Sequence, residues 1–181
     1  MDDVVVEPFD LVQRADEALA VQALAFGLTD DEIAVRRQIV LRHATMPGAR
    51  ALGATTQEGR LVGFVYGMPN DRTHWWSTVV EPYLRRTGND CWLDLSFVIV
   101  ELHVHPAYQR HSIGRRLITE ITDAAAEPRS ILSALDLESP TRRFYRSLGY
   151  RDLAHPVHFP STPTPYTVMG APLPLPRPHC Q

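Results

Sequence analysis

The sequence predicts an α/β fold of the mixed, α+β kind, and three stretches carry that expectation. An apolar run from Leu93 to Val104 reads as a strand. It leads through a short polar loop into an amphipathic helix with Ile113, Leu117, Ile118 and Ile121 on one side. Two β-like runs, Arg50 to Thr56 and Arg60 to Gly67, flank Gln57-Glu58-Gly59 and suggest a hairpin. Ile131 to Leu137 reads as a further strand, followed by a compact helix marked at both ends. Ser139 suits its N-cap, Pro140 its first position and Gly149 the residue past its end.

The remaining elements follow the same logic. Val4 to Glu7 reads as a short first strand. Asp16 is the expected cap of a helix carrying Leu19, Ala23, Leu24 and Phe26. Thr29 or Asp30 starts a second helix, with Ile33, Val40 and Leu41 as its apolar side. Met46-Pro47-Gly48 breaks the pattern. Beyond the hairpin, Trp75 to Arg86 predicts a helix between Pro69-Asn70-Asp71 and the turn Gly88-Asn89-Asp90, with two adjacent tryptophans. Tyr150 to Leu153 and Tyr166 to Gly170 read as closing strands. We expect residues 1–171 to form one domain, and 172–181 an extended, loose, proline-rich tail.

Composition narrows the class. A chain of 181 residues supports one domain with a substantial core. A net charge of −3 argues against a general nucleic-acid binder, and no run approaches a membrane span. Met1-Asp2-Asp3 lacks the basic start of a signal peptide, so a cytoplasmic protein is expected. Cys91 and Cys180 have neither disulfide-scaffold numbers nor metal-site spacing, and no metal is expected. All 18 basic residues are arginine, which excludes a lysine nucleophile or Schiff base.

The stretch His105 to Leu117 is the richest in chemistry. A strand, a tight polar loop and a helix N-terminus leave several backbone N–H groups pointing one way, at the positive end of the helix dipole. That arrangement suits a phosphate or diphosphate. Gly114 permits close approach, and Arg110, Arg115 and Arg116 add charge.

Gln109-Arg110-His111-Ser112-Ile113-Gly114 resembles the Gln/Arg-x-x-Gly-x-Gly/Ala signature of the GNAT superfamily of acyltransferases. Ser112 stands where the first glycine is usual; as a good N-cap residue, its hydroxyl could satisfy an N–H or meet a phosphate oxygen. Glu138 to Tyr150 resembles the family's second landmark, an Asn-x-x-Ala-x-x-Leu-Tyr helix followed by Leu-Gly-Phe/Tyr. Here Glu138, Thr141 and Phe144 replace its first three markers, while Tyr145 and Leu148-Gly149-Tyr150 match. The close resemblance covers Leu93 to Leu153.

The resemblance implies a mixed, mostly antiparallel sheet, flanked by helices and splayed between two central strands. Acetyl-coenzyme A, as co-substrate, would enter the split. Its pantetheine would pair with the strand ending at Val104, and its diphosphate would lie on Gln109, Arg110, His111, Ser112, Ile113, Gly114 and Arg115. The implied reaction is direct attack of an amine on the thioester. It needs a neutral amine, a stabilised carbonyl oxygen and a proton for the departing thiolate. Tyr145 matches the family position of the acid.

For the base, Glu101, His103 and His105 alternate along one strand and share a face if it is regular. Glu101 is the first choice, and His103 the alternative with the more suitable imidazole. Other members place the acid one strand later, where this chain has Asp136, or use no dedicated base. The expected acceptor is a small-molecule primary amine, with Trp75 and Trp76 as substrate contacts. A protein N-terminal or side-chain acetyltransferase and an idle acyl-coenzyme A binder are the alternatives. Many relatives dimerise, so a homodimer is one expected state.

Overall fold

The computed structural model describes residues 3–177, which fall into two compact units. The first comprises the residues up to Met68 together with Ile99–Ile121, and the second Pro69–Val98 together with Thr122 onward. Cys180 lies outside the described residues; Cys91 is exposed and free.

In the first unit, β1 (Val5–Pro8) is followed by helices α1 (Ala15–Phe26) and α2 (Asp30–Ala44) and by the hairpin of β2 (Arg50–Thr55) and β3 (Leu61–Pro69). β1 and β2 run antiparallel with Val5 opposite Thr55, and β2 and β3 likewise with Arg50 opposite Gly67. The expected turn closes the hairpin, with the Gly59 N–H donating to the Thr56 carbonyl at 2.8 Å. Thr29 is the cap of α2. Its hydroxyl accepts from the Glu32 N–H while the Glu32 carboxylate accepts from the Thr29 N–H, the reciprocal capping box.

Helix α1 departs from expectation. Its cap is Arg14, without a side-chain cap bond, and Asp16 sits inside the first turn, where its carboxylate meets Arg37 at 2.9 Å. The buried face is Ala15, Ala18, Leu19 and Gln22, at the three-and-four spacing of a helix, whereas Leu24 and Phe26 are exposed. The core here joins that face to Val40, Leu61, Phe64, Tyr66 and Met68.

The first unit also holds the end of β4 (Ser96–Val104) and most of α4 (Ile113–Asp123). Ile113, Leu117, Ile118 and Ile121 are all buried, as their spacing predicts. Gly63 lets this helix seat closely. A Cβ there would come within 3.3 Å of Leu117 Cδ1 and of the His103 carbonyl oxygen.

In the second unit, α3 (Trp75–Arg86) has the predicted bounds. A latch at its base joins the two ends of this segment. The Asn70 N–H donates to the Ser96 carbonyl at 2.7 Å, and the Asn70 side chain donates to the Leu93 carbonyl at 2.8 Å. Arg72 spans Asp94 at 2.6 and 2.7 Å, Glu81 at 2.9 Å and the Asp90 carbonyl at 3.0 Å. This latch explains why β4 begins at Ser96 and not at Leu93. Asp90–Leu93 forms a 3-10 turn, and Leu95 takes a left-handed φ of 50° before the strand starts.

The remaining elements are β5 (Arg129–Leu135), α5 (Pro140–Ser147), β6 (Arg151–Val157) and β7 (Tyr166–Pro172). β5 runs parallel to the start of β4 and antiparallel to β7, which also pairs antiparallel with β6. The full seven-stranded order is β1-β2-β3-β4-β5-β7-β6. This is the mixed, mostly antiparallel sheet with helices that the resemblance implies. The guanidinium groups of Arg129 and Arg151 each lie over the Trp92 ring, at 5.3 and 5.4 Å from its centre.

The tail is not loose as far as Arg177. The Leu173 N–H donates to the Pro128 carbonyl at 2.9 Å, and Leu175 is 2% exposed. Pro176 lies over Gly149, and Arg177 pairs with Asp123 at 2.9 Å. The prolines keep the segment out of the sheet ladder but do not prevent it from packing.

Candidate active site

The loop after β4 is built from local bonds. The Val104 carbonyl accepts from the Gln109 side-chain amide at 3.0 Å, so one predicted site residue ties down another. His105 Nδ1 accepts from the Ala107 N–H at 3.1 Å and starts a 3-10 turn over Pro106–Tyr108. His105 Nε2 faces Arg60 Nη2 at 3.3 Å, and its ring meets Tyr108 edge to face, so it is part of the loop's frame. His111 Nδ1 lies 3.3 Å from the Tyr108 carbonyl.

Arg110 and Ser112 both take left-handed φ values, 66° and 62°. Such a conformation costs an L-residue roughly 1–2 kcal/mol, and glycine avoids that penalty. The glycine of the family signature therefore answers a backbone requirement that Ser112 meets under strain. Its backbone is not the extended form in which a capping serine hydroxyl reaches the helix amides, contrary to expectation. Its carbonyl instead starts α4 by accepting from the Arg116 N–H at 3.0 Å. Ahead of that bond, the amides of Ile113 and Gly114 lie where intrahelical acceptors do not reach. Arg116 is turned away toward the first strand, donating to the Val4 carbonyl at 2.9 Å.

On β4 the two candidate bases form one hydrogen-bonded pair. Glu101 Oε2 lies 2.7 Å from His103 Nε2, and the side chains are 20% and 11% exposed. Helix α2 adds Arg36, whose Nη1 donates to Glu101 Oε1 at 3.2 Å. Burial alone raises the Glu101 carboxyl. The hydrogen bond and charge of His103, with Arg36 and the Gln22 amide, more than offset that and hold it below the ordinary carboxylate range. Gln22 acts from beside the carboxylate without forming a well-aligned hydrogen bond, and its Nε2 and Oε1 have no partner. The His103 ring also packs against Phe26 at 6.0 Å and Phe64 at 5.7 Å. Nearby, Tyr66 meets His43 at 3.2 Å; burial and the negative charge of Glu101 push its phenol well above the usual value.

Sequence reasoning missed Gln22, Arg36, His43 and Tyr66. Gln22 alone left a signal, a polar residue in register with Ala15, Ala18 and Leu19 on the buried face of α1.

In the second unit, Tyr145 is buried on α5, with its ring 5.3 Å from Phe144 and 5.7 Å from Tyr150. The expected caps of α5 are present: the Ser139 hydroxyl accepts from the Arg142 N–H, and Gly149 takes a left-handed φ of 90°. Asp136, the alternative acid, is engaged by Arg142 at 3.1 Å and by the Thr167 hydroxyl at 2.8 Å. The two tryptophans differ. Trp76 donates to the Ser133 hydroxyl at 3.2 Å, whereas Trp75 is 58% exposed and faces Phe159 at 6.0 Å. Among the described residues, no group of three or more histidine, cysteine or acidic side chains could hold a metal ion, and no helix is long and apolar enough to cross a membrane.

The first unit thus brings together a helix N-terminus behind a left-handed loop and, on the strand before it, a half-buried carboxylate–imidazole pair. Comparison with known proteins gives the family. The acetyltransferase (GNAT) domain matches residues 48–152, more than half of the chain, and the chain belongs to that family. It is 25% identical to a GCN5-like protein acetyltransferase of Mycobacterium tuberculosis, over 93% of this chain and 96% of the relative. Solved structures share the fold. A GNAT-family protein of Desulfovibrio desulfuricans superposes with a TM-score of 0.70 at 18% identity, covering 94% of this chain and 99% of that one. The PaiA N-acetyltransferase of Thermoplasma acidophilum, in complex with coenzyme A, gives 0.66 at 12% identity with the same coverage.

Proposed function

We propose that the protein transfers an acetyl group from acetyl-coenzyme A to the primary amine of a small molecule, by direct attack on the thioester. The observation that carries this reading is the Glu101–His103 pair on β4, the strand that leads into the candidate diphosphate loop. Residues Val104 and Gln109 to Arg115 hold the donor, with the Ile113 and Gly114 amides turned to its phosphates.

An ammonium has no lone pair, so attack requires loss of a proton. In this reading the pair accepts it. The imidazole takes the proton, and a carboxylate kept anionic stabilises the imidazolium that forms. The neutral amine then bonds to the carbonyl carbon and its nitrogen becomes cationic; as the carbon–sulfur bond breaks, that nitrogen gives up its second proton and the thiolate gains one, so the protons balance. Tyr145 keeps the role of proton donor that the family resemblance gives it. The products are an N-acetylated amine and free coenzyme A. Use of acetyl-coenzyme A as donor fits a cytoplasmic enzyme.

The mycobacterial relative, a protein acetyltransferase by name, favours a second reading, a protein amine as acceptor. The test is thiol release from acetyl-coenzyme A with a panel of small amines and peptides. Release with small amines supports the first reading and release with peptides alone the second. Tight coenzyme A binding without release in any case refutes acetyl transfer to either acceptor class.

A further inference from the structure

We infer that the acceptor is an amino-carboxylate: a primary amine with a carboxylate one carbon away and an apolar or aromatic side chain, with Arg36 taking the carboxylate. The inference rests on the proposed reaction at Glu101 and names its substrate class.

Charge is the first argument. Glu101 is already compensated by Arg36 at 3.2 Å and bonded to His103 at 2.7 Å. With a neutral imidazole the cluster sums to zero, and with a protonated one it is positive. A polyamine therefore gains no net attraction here. An acceptor carrying both charges enters by exchange, its carboxylate drawing Arg36 away from Glu101 while its ammonium replaces Arg36 beside that carboxylate. No charge is left unpaired, which is the condition for a low cost in a partly buried site.

The second argument is unused bonding capacity. A guanidinium has five N–H donors, and Arg36 spends one, in a bond longer than the roughly 2.7–2.9 Å usual between charged partners. Its side chain is 32% exposed and so within a ligand's reach. Behind Glu101 sits Gln22, 1% exposed, with both polar atoms unsatisfied. A buried amide without a partner is unfavourable in the unliganded protein. Already beside the carboxylate, the Gln22 amide can close to a full hydrogen bond from Nε2 if Arg36 leaves. Gln22 is thus a positioning residue for Glu101.

The third argument is the apolar wall. Phe26 is 46% exposed, its ring edge-to-face with His103 and 5.9 Å from the Arg36 guanidinium carbon. An exposed aromatic ring beside the cation that takes the carboxylate gives an apolar side chain a face to pack against.

Calorimetry on the protein saturated with coenzyme A tests this, using L-phenylalanine, its amide, phenethylamine and spermidine. L-phenylalanine should bind at least about tenfold more tightly than the three probes lacking a carboxylate, a difference of about 1.4 kcal/mol. Arg36→Gln should abolish that ratio, and Arg36→Lys should keep part of it. Gln22→Leu should raise Tm yet weaken L-phenylalanine binding, a combination that a purely structural glutamine would not give. Equal binding of the amide or phenethylamine, an unchanged ratio in Arg36→Gln, or no binding of any probe overturns the inference. Thiol release, measured separately with acetyl-coenzyme A, reads the reaction itself. Turnover of amines without carboxylate preference refutes the substrate class and leaves the reaction standing. Selective binding without turnover does the reverse.

Discussion

Glu101 and His103 lie two residues apart on one strand and share a 2.7 Å hydrogen bond, which helps to keep the carboxylate charged. Glu101 is held below its ordinary range, so its contribution to stability is present above the unfolded-state value and lost as pH falls through the lowered one. Glu101→Gln should therefore cost about 1–3 kcal/mol near pH 7, a hydrogen bond to a charged group, and the difference should shrink in acid. Urea unfolding of both proteins across the acid range checks the sign. In catalysis, Glu101→Gln and His103→Gln should each lower kcat/KM by at least about tenfold. Indifference to both substitutions would leave deprotonation to the solvent.

Gly114→Val should block approach of the diphosphate and abolish coenzyme A binding while the circular dichroism and melting profile stay intact. Calorimetry with coenzyme A decides, and an unchanged affinity refutes the loop assignment.

At Ser112 the direction reverses. The left-handed φ of 62° makes glycine the less strained residue, so Ser112→Gly should hold or raise stability by up to about 1 kcal/mol. Ser112→Val, β-branched in the same conformation, should destabilise. Thermal melts of the two variants give the ordering, and a less stable glycine variant would contradict it.

Tyr145→Phe should reduce turnover by roughly ten- to a thousandfold with little change in coenzyme A affinity, the size of a general-acid contribution. Single-turnover rates isolate the chemical step; an unaltered rate there confines Tyr145 to packing against Phe144 and Tyr150.

Gly170 has no room for a side chain. A Cβ would come within 2.6 Å of the Trp92 ring and 2.7 Å of Leu153 Cδ1. Gly170→Ala should cost about 1–3 kcal/mol by overpacking. A smaller residue at Trp92 should recover part of that loss in a double-mutant cycle, because the two positions touch. Additive effects would show that the strain is relieved elsewhere.

What was legible in the sequence was local. The bounds of α3, the buried stripe of α4, the hairpin turn and the caps of α5 each follow from a few neighbouring residues with one dominant preference. Illegible features depended on partners far along the chain. Arg36 sits in a helix rich in charge and reads as solvated until Glu101, 65 residues later, comes beside it. Leu93 contributed its hydrophobicity to a core and not to a strand, because Arg72 and Asn70 hold the preceding segment in a turn. Pro172 onward looks like a loose tail by composition, yet Leu175 finds a buried place and Arg177 a carboxylate. Gln22 could have been noticed from its register, but its role needed the carboxylate across from it.

The latch at Asn70 and Arg72 has an evolutionary consequence. Backbone and side-chain bonds join the segment's two ends, from Asn70 to Ser96 and from Arg72 to Asp94. The span between them is therefore a cassette closed at its neck. Exposed positions within it can change without shifting where the flanking strands begin and end, since the neck fixes those points. Changes on the exposed side of the helix, where Trp75 lies, are therefore the ones the sheet need not answer.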